Sequence, residues 1–144
     1  MSVFNLCETL MTRLSGLIPI VFAIASGAAQ ADDEQMQCLN RAAPMLNSTA
    51  KFVTSNGSKA AFDVAKSGLL DSANDTGGRA TLVLDTKTRT IELYDVNPSS
   101  VDPNGVGEQG LSVHGSGVAP AKTYKGNDPR TIKAASMMSF CLKR

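Results

Sequence analysis

The chain has 144 residues, with 14 Lys and Arg against 13 Asp and Glu and a formal net charge of +1. That near-neutrality, with no basic stripe along the chain, argues against nucleic acid as a partner. A hydrophobic content of 42% with balanced charge excludes intrinsic disorder, while 5% aromatics and the absence of Trp describe a small, loop-rich domain.

Arg13 is followed by "LSGLIPIVFAIASGA", interrupted by Pro19, and then by Ala29, Gln30 and Ala31 directly before Asp32 and Asp33. A basic flank, a short apolar core and a small-x-small exit describe a secretory signal peptide over residues 1–31, cleaved after Ala31. The run falls short of the roughly 20 apolar residues of a membrane-spanning helix, so the exported chain is not expected to be an integral membrane protein. Glu8 stands where a basic flank is expected, which makes Met11 the better start. Residues 32–144 then form one small secreted or periplasmic domain.

With Cys7 lost on cleavage, Cys38 and Cys141 are the cysteines of the exported chain. An even count in an oxidising compartment makes a disulfide the default. It would tie the first helix to the C-terminus and, in the chain-entropy model, contribute about 4 to 5 kcal/mol. It requires the two Cα atoms to come within about 7 Å.

Met36, Leu39, Ala42, Ala43 and Leu46 recur at spacings of three and four, with acids ahead of them, which predicts an amphipathic helix within 33–54, ended or bent at Asn47. Ser58, after Asn56 and Gly57, is positioned to cap a second helix through "KAAFDVAKSGLL". "DSANDTGG" over 71–78 reads as a loop. The period then becomes alternating. "RATLVLDTKTRTIELYDV" predicts strands at about 80–85 and 89–96, with Leu82 and Leu84 on one face and Ile91 and Leu93 on one face of the partner. Residues 97–110 read as a long turn-rich loop, "GLSVH" as a short third strand, 115–129 as loop again, and "RTIKAASMMSFCLKR" as a last helix or strand. The expected fold class is α+β: two N-terminal helices (32–70), then a small, mainly antiparallel β region with long loops (79–144).

Asp95, Asn97, Ser99 and Asp102 have the alternation of a calcium loop, but Ser100 stands where glycine belongs and Val106 where the bidentate glutamate belongs, so a solvated loop is expected. Gly105, Gly107 and Gly110 lack the spacing of a phosphate cradle. Asn47, Asn56 and Asn74 each open an N-x-S/T triplet. One histidine and two cysteines do not compose a zinc site without carboxylates, and no cofactor is expected. The remaining candidates are His114 in "VHGSG" and Cys141 in "SFCLKR". A cysteine nucleophile needs its thiolate, which a nearby imidazole supplies, and backbone amides facing the oxyanion.

In these residues the chain resembles the L,D-transpeptidase catalytic domain, the murein L,D-transpeptidases among them. "TLVLDTKTRTIELYDV" resembles the family's opening hairpin, "VHGSG" its His-Gly-Ser/Thr element, and "SFCLKR" is similar to its Ser-His-Gly-Cys-hydrophobic-Arg signature. The resemblance implies a peptidoglycan stem peptide as substrate, acyl transfer by Cys141 as nucleophile, His114 as base and Ser139 as a neighbour within the signature. A second alignment matches "SVHGSGVAPAK" to a segment ahead of the catalytic residues, in which case His114 is not the base. Phe140 replaces the glycine before the cysteine, and Ser139 stands where the signature has the histidine before that glycine. The resemblance covers under half of the chain, and the stop after Arg144 is consistent with a truncated or divergent copy. The alternative is a non-catalytic secreted binding or inhibitor domain, with an envelope protein as partner and Cys38 and Cys141 as a disulfide.

Overall fold

The computed structural model describes residues 32–70 and 77–144. The expected signal peptide and most of the 71–78 loop, with the Asn74 triplet, lie outside the described residues. Helix α1 spans Asp33–Ala42 and helix α2 spans Pro129–Leu142, with eight strands between them: β1 Lys51–Asn56, β2 Lys59–Ala65, β3 Arg79–Asp85, β4 Thr90–Tyr94, β5 Val101–Gly107, β6 Gly110–Val113, β7 Ser116–Val118 and β8 Lys122–Lys125. A five-stranded antiparallel sheet runs β1-β2-β3-β4-β8, and a three-stranded one runs β5-β6-β7, inserted between β4 and β8.

The central sheet is covered on both faces. Ala60, Phe62, Val64, Leu82, Leu84, Ile91 and Leu93 face a core completed by Leu39, Ala42 and Ala43 of α1 and by Ala135, Met138 and Cys141 of α2. On the opposite face Ala61, Val83 and Tyr94 pack with Val106 and Leu111 of the smaller sheet. Leu82 pairs with Leu93 and Leu84 with Ile91, so the β3-β4 hairpin appears with the facing that alternation predicts. Thr81, buried on the smaller sheet's side, donates its hydroxyl to the Val96 carbonyl at 2.9 Å, which meets the requirement that a buried polar group be paired.

The expectation of two N-terminal helices is overturned. Only α1 forms there. Its ladder ends at Pro44, which has no N–H to donate, and the chain continues as a short 3-10 turn over Ala43–Met45. "KAAFDVA", read as helix, forms β2, and "AKFV", which follows the expected end or bend of the first helix at Asn47, leads into β1. Asn56 pairs with Lys59 across a two-residue loop in which Gly57 has φ of +58°. Asn-Gly thus opens a hairpin turn rather than preceding a helix cap. Central strand β2 has apolar side chains on both faces, so Ala61 and Ala65 fall at a helical spacing by coincidence. The 32–70 segment is therefore one helix and two strands. Beyond Asn97 the expected loops also contain strands, since Pro98–Ser100 is a 3-10 turn leading into β5 and residues 116–125 hold β7 and β8.

Candidate functional site

α1 and α2, the first and last elements of the described domain, lie side by side. Asp32 caps α1 by accepting from the Gln35 amide at 2.6 Å, and the Gln35 side-chain amide donates to the Cys141 carbonyl at 3.3 Å. Beside that bond, Cys38 and Cys141 form a disulfide with a Cα separation of 5.7 Å across 103 residues of sequence, within the usual range for such bridges. Cys141 is fully buried and Cys38 half-buried.

The start of α2 is set by Asp128. Its carboxylate accepts from the Thr131 hydroxyl at 2.5 Å and the Thr131 amide at 3.0 Å, and these two bonds hold it below the ordinary carboxylate pKa. Pro129 stands at the first helical position, where a missing N–H costs nothing. Gly126 lets the chain turn from β8 into this cap, because a Cβ there would lie 2.0 Å from the Thr131 methyl.

Between the exposed sides of the two helices runs an open groove of about 670 Å³, lined by Glu34, Arg41, Met137, Phe140 and Arg144 with the disulfide at its base. The Arg144 guanidinium sits 5.0 Å over the Phe140 ring, and its Nη1 lies 3.6 Å from the Glu34 carboxylate. The walls are apolar and the rim is charged, a combination suited to an amphipathic ligand.

His114 occupies a different place. It is the first of the two residues linking β6 to β7, with φ of +51° followed by Gly115 at +77°, and Val113 pairs with Ser116 across them. Two left-handed residues in a two-residue loop make a type I′ turn, which His-Gly serves as Asn-Gly does. Asp102 of β5 clamps this turn. One carboxylate oxygen accepts from the His114 amide, and the other accepts from the Gly115 amide and the Ser112 hydroxyl, each at 2.9 Å. The Gly115 amide, then the Ser112 hydroxyl, keep Asp102 below the ordinary carboxylate pKa.

The candidate residues thus separate. Cys141 and Ser139 are on α2, with Cys141 in the core of the helix-covered face. His114 is exposed on the smaller sheet, which packs on the opposite face. A sulfur bonded to a second sulfur offers no thiolate. The oxygens of the calcium-like segment are engaged locally. Asp95 pairs with the buried Lys66 ammonium at 2.7 Å, Asn97 accepts from the Ser99 amide and hydroxyl, and Asp102 holds the turn.

A smaller polar hollow of about 170 Å³ lies between Lys59, Asp85, Thr88 and Glu92. Lys59 Nζ donates to the Gly107 carbonyl at 3.1 Å, and the Tyr94 hydroxyl donates to Glu92 at 2.6 Å. Burial, then the Glu92 hydrogen bond, push the Tyr94 hydroxyl well above its ordinary pKa. The Lys59 bond joins the two sheets, the Tyr94 bond lies within β4, and together they leave this hollow as a structural seam.

No family model, no curated protein and no solved structure matches the chain.

Arg41, Phe140 and Arg144 were missed by the sequence reading, which took Phe140 only as a departure from a cysteine signature. The row of Ile132, Ser136, Phe140 and Arg144, four residues apart in a segment without carboxylates, is the signal that points to Phe140 and Arg144; no comparable signal points to Arg41 on α1.

Proposed function

We propose that this chain is an exported, non-catalytic binding domain of the cell envelope, stapled through Cys38 and Cys141, with an envelope protein or a peptidoglycan stem peptide as its ligand. The observation that carries the reading is the state of Cys141, whose sulfur is buried and bonded to Cys38. His114 supports it, because a type I′ turn clamped by Asp102 accounts for histidine and glycine at 114 and 115 without a catalytic role. The groove between the helices supplies a ligand-sized concavity next to the staple.

The reading is tested with the variant pair Cys38→Ala and Cys141→Ala. Both remove the same bridge, so both are expected to lose the same stability, about 4 kcal/mol or some 20 °C in Tm. Neither they nor the parent should transfer an acyl group between stem peptides. Acyl transfer by Cys38→Ala that vanishes in Cys141→Ala would contradict the proposal and restore the L,D-transpeptidase reading.

A further inference from the structure

We infer that the outer face of α2, with β8 beside it, is a docking surface for an anionic phospholipid bilayer. The inference goes beyond the binding-domain reading and does not depend on the state of Cys141.

Charge is divided unevenly along the chain. Residues 122–144 contain six Lys and Arg against a single carboxylate, Asp128, whereas residues 32–121 contain seven against eleven. The near-neutral total conceals this asymmetry. Within α2 the cations Arg130 and Lys133 are exposed, as are Lys143 and Arg144 just after it. At 100° per residue Lys133, Lys143 and Arg144 fall on one stripe with Ile132 and Phe140, opposite the buried stripe of Thr131, Ala134, Ala135 and Met138, while Arg130 lies at the edge of that buried stripe.

Apolar exposure is concentrated on the same layer. The large hydrophobic side chains exposed among the described residues are Phe140 at 61%, Tyr124 at 44%, Met36 at 39% and Ile132 at 37%. Phe140 and Ile132 lie on α2 and Met36 on α1. Tyr124 of β8 pairs with Ile91, which faces the helix-covered core. The opposite layer, formed by the smaller sheet, contributes none.

Aromatic and aliphatic side chains interleaved with cations on one helix face match the headgroup region of an anionic membrane, where rings enter the acyl boundary and Lys and Arg meet phosphates. A purely acidic polymer would use the cations but leave Phe140 and Ile132 without a partner, which favours lipid. No helix among the described residues is long and apolar enough to cross a membrane, so contact through this face is peripheral. Arg144, partly engaged by Glu34, stacks on Phe140 and brings a cation to the ring that would enter the bilayer.

The chain contains no Trp, so Phe140→Trp places one fluorophore in this face. Protein recovered from the exported fraction is titrated with vesicles of phosphatidylcholine containing about 30 mol% phosphatidylglycerol, and with phosphatidylcholine alone. The expected result is a blue shift with the anionic vesicles only, reversed by about 0.5 M salt. Lys133→Gln with Lys143→Gln should weaken partitioning about 25-fold, near five-fold per cation, with Tm unchanged because both side chains are exposed. No shift on anionic vesicles, equal partitioning to neutral ones, or unchanged partitioning of the double variant would overturn the inference. So would polyglutamate binding as tightly as the anionic vesicles without a blue shift, which would reassign the face to an acidic polypeptide.

Discussion

The Asp102 carboxylate on β5 accepts the backbone amide of His114, 12 residues along the chain, at 2.9 Å. This bond and its companions to Gly115 and Ser112 connect two strands of the smaller sheet through one ionised side chain. Folding holds the carboxyl below its ordinary pKa of 3.8. Its contribution is therefore complete above that value and is lost as pH falls through the lower, folded value. Hydrogen exchange should show the His114 and Gly115 amides protected at neutral pH and progressively exposed below pH 3.8. Asp102→Asn should remove that pH dependence, and an identical profile in the variant would contradict the clamp.

His114 is predicted to be replaceable wherever the replacement tolerates a left-handed backbone. His114→Asn should leave stability within about 0.5 kcal/mol, because Asn-Gly is the preferred pair for a type I′ turn. His114→Val should cost about 1 to 2 kcal/mol, since a β-branched side chain resists positive φ. Urea denaturation of the two variants measures both values. Loss of ligand binding or activity in His114→Asn at unchanged stability would show that the imidazole itself is used.

Gly126 and Thr131 form a second local dependence. A methyl at position 126 meets the Thr131 Cγ2 at 2.0 Å and its Cβ at 2.9 Å, so Gly126→Ala should destabilise by about 1 to 3 kcal/mol. Thr131→Ser deletes the methyl but keeps the hydroxyl bonded to Asp128, so adding it to Gly126→Ala should recover part of the loss, and a double-mutant cycle reads the coupling. Strictly additive effects would show that the strain lies elsewhere.

The β3-β4 hairpin was legible because Leu82, Leu84, Ile91 and Leu93 alternate over strands that bury distinct sets of residues on their two faces. β2 was not, because it is covered on both faces like β3 but carries alanine at 60, 61 and 65 where β3 carries Thr81 and Val83, and alanines at 61 and 65 satisfy a helical spacing as well. The sequence did point to Cys38 and Cys141 as a bridge, through their even count in a chain read as exported. It also placed His114 at the end of a short strand just before a glycine-containing loop, but not the reason for histidine there, since the clamp comes from Asp102 on a strand formed by residues that resemble loop. The basic, aromatic face of α2 was hidden by a whole-chain charge of +1, a sum over the two oppositely charged parts of the chain.

The central claim is that Cys141 serves as a structural half-cystine. Its most direct test is alkylation of the exported protein under native, non-reducing conditions, followed by mass mapping of the peptides that contain Cys38 and Cys141. The account predicts that neither residue takes label at neutral pH and that both do after reduction and unfolding. Immediate labelling of Cys141 in the unreduced protein would contradict it and identify a free thiol on α2.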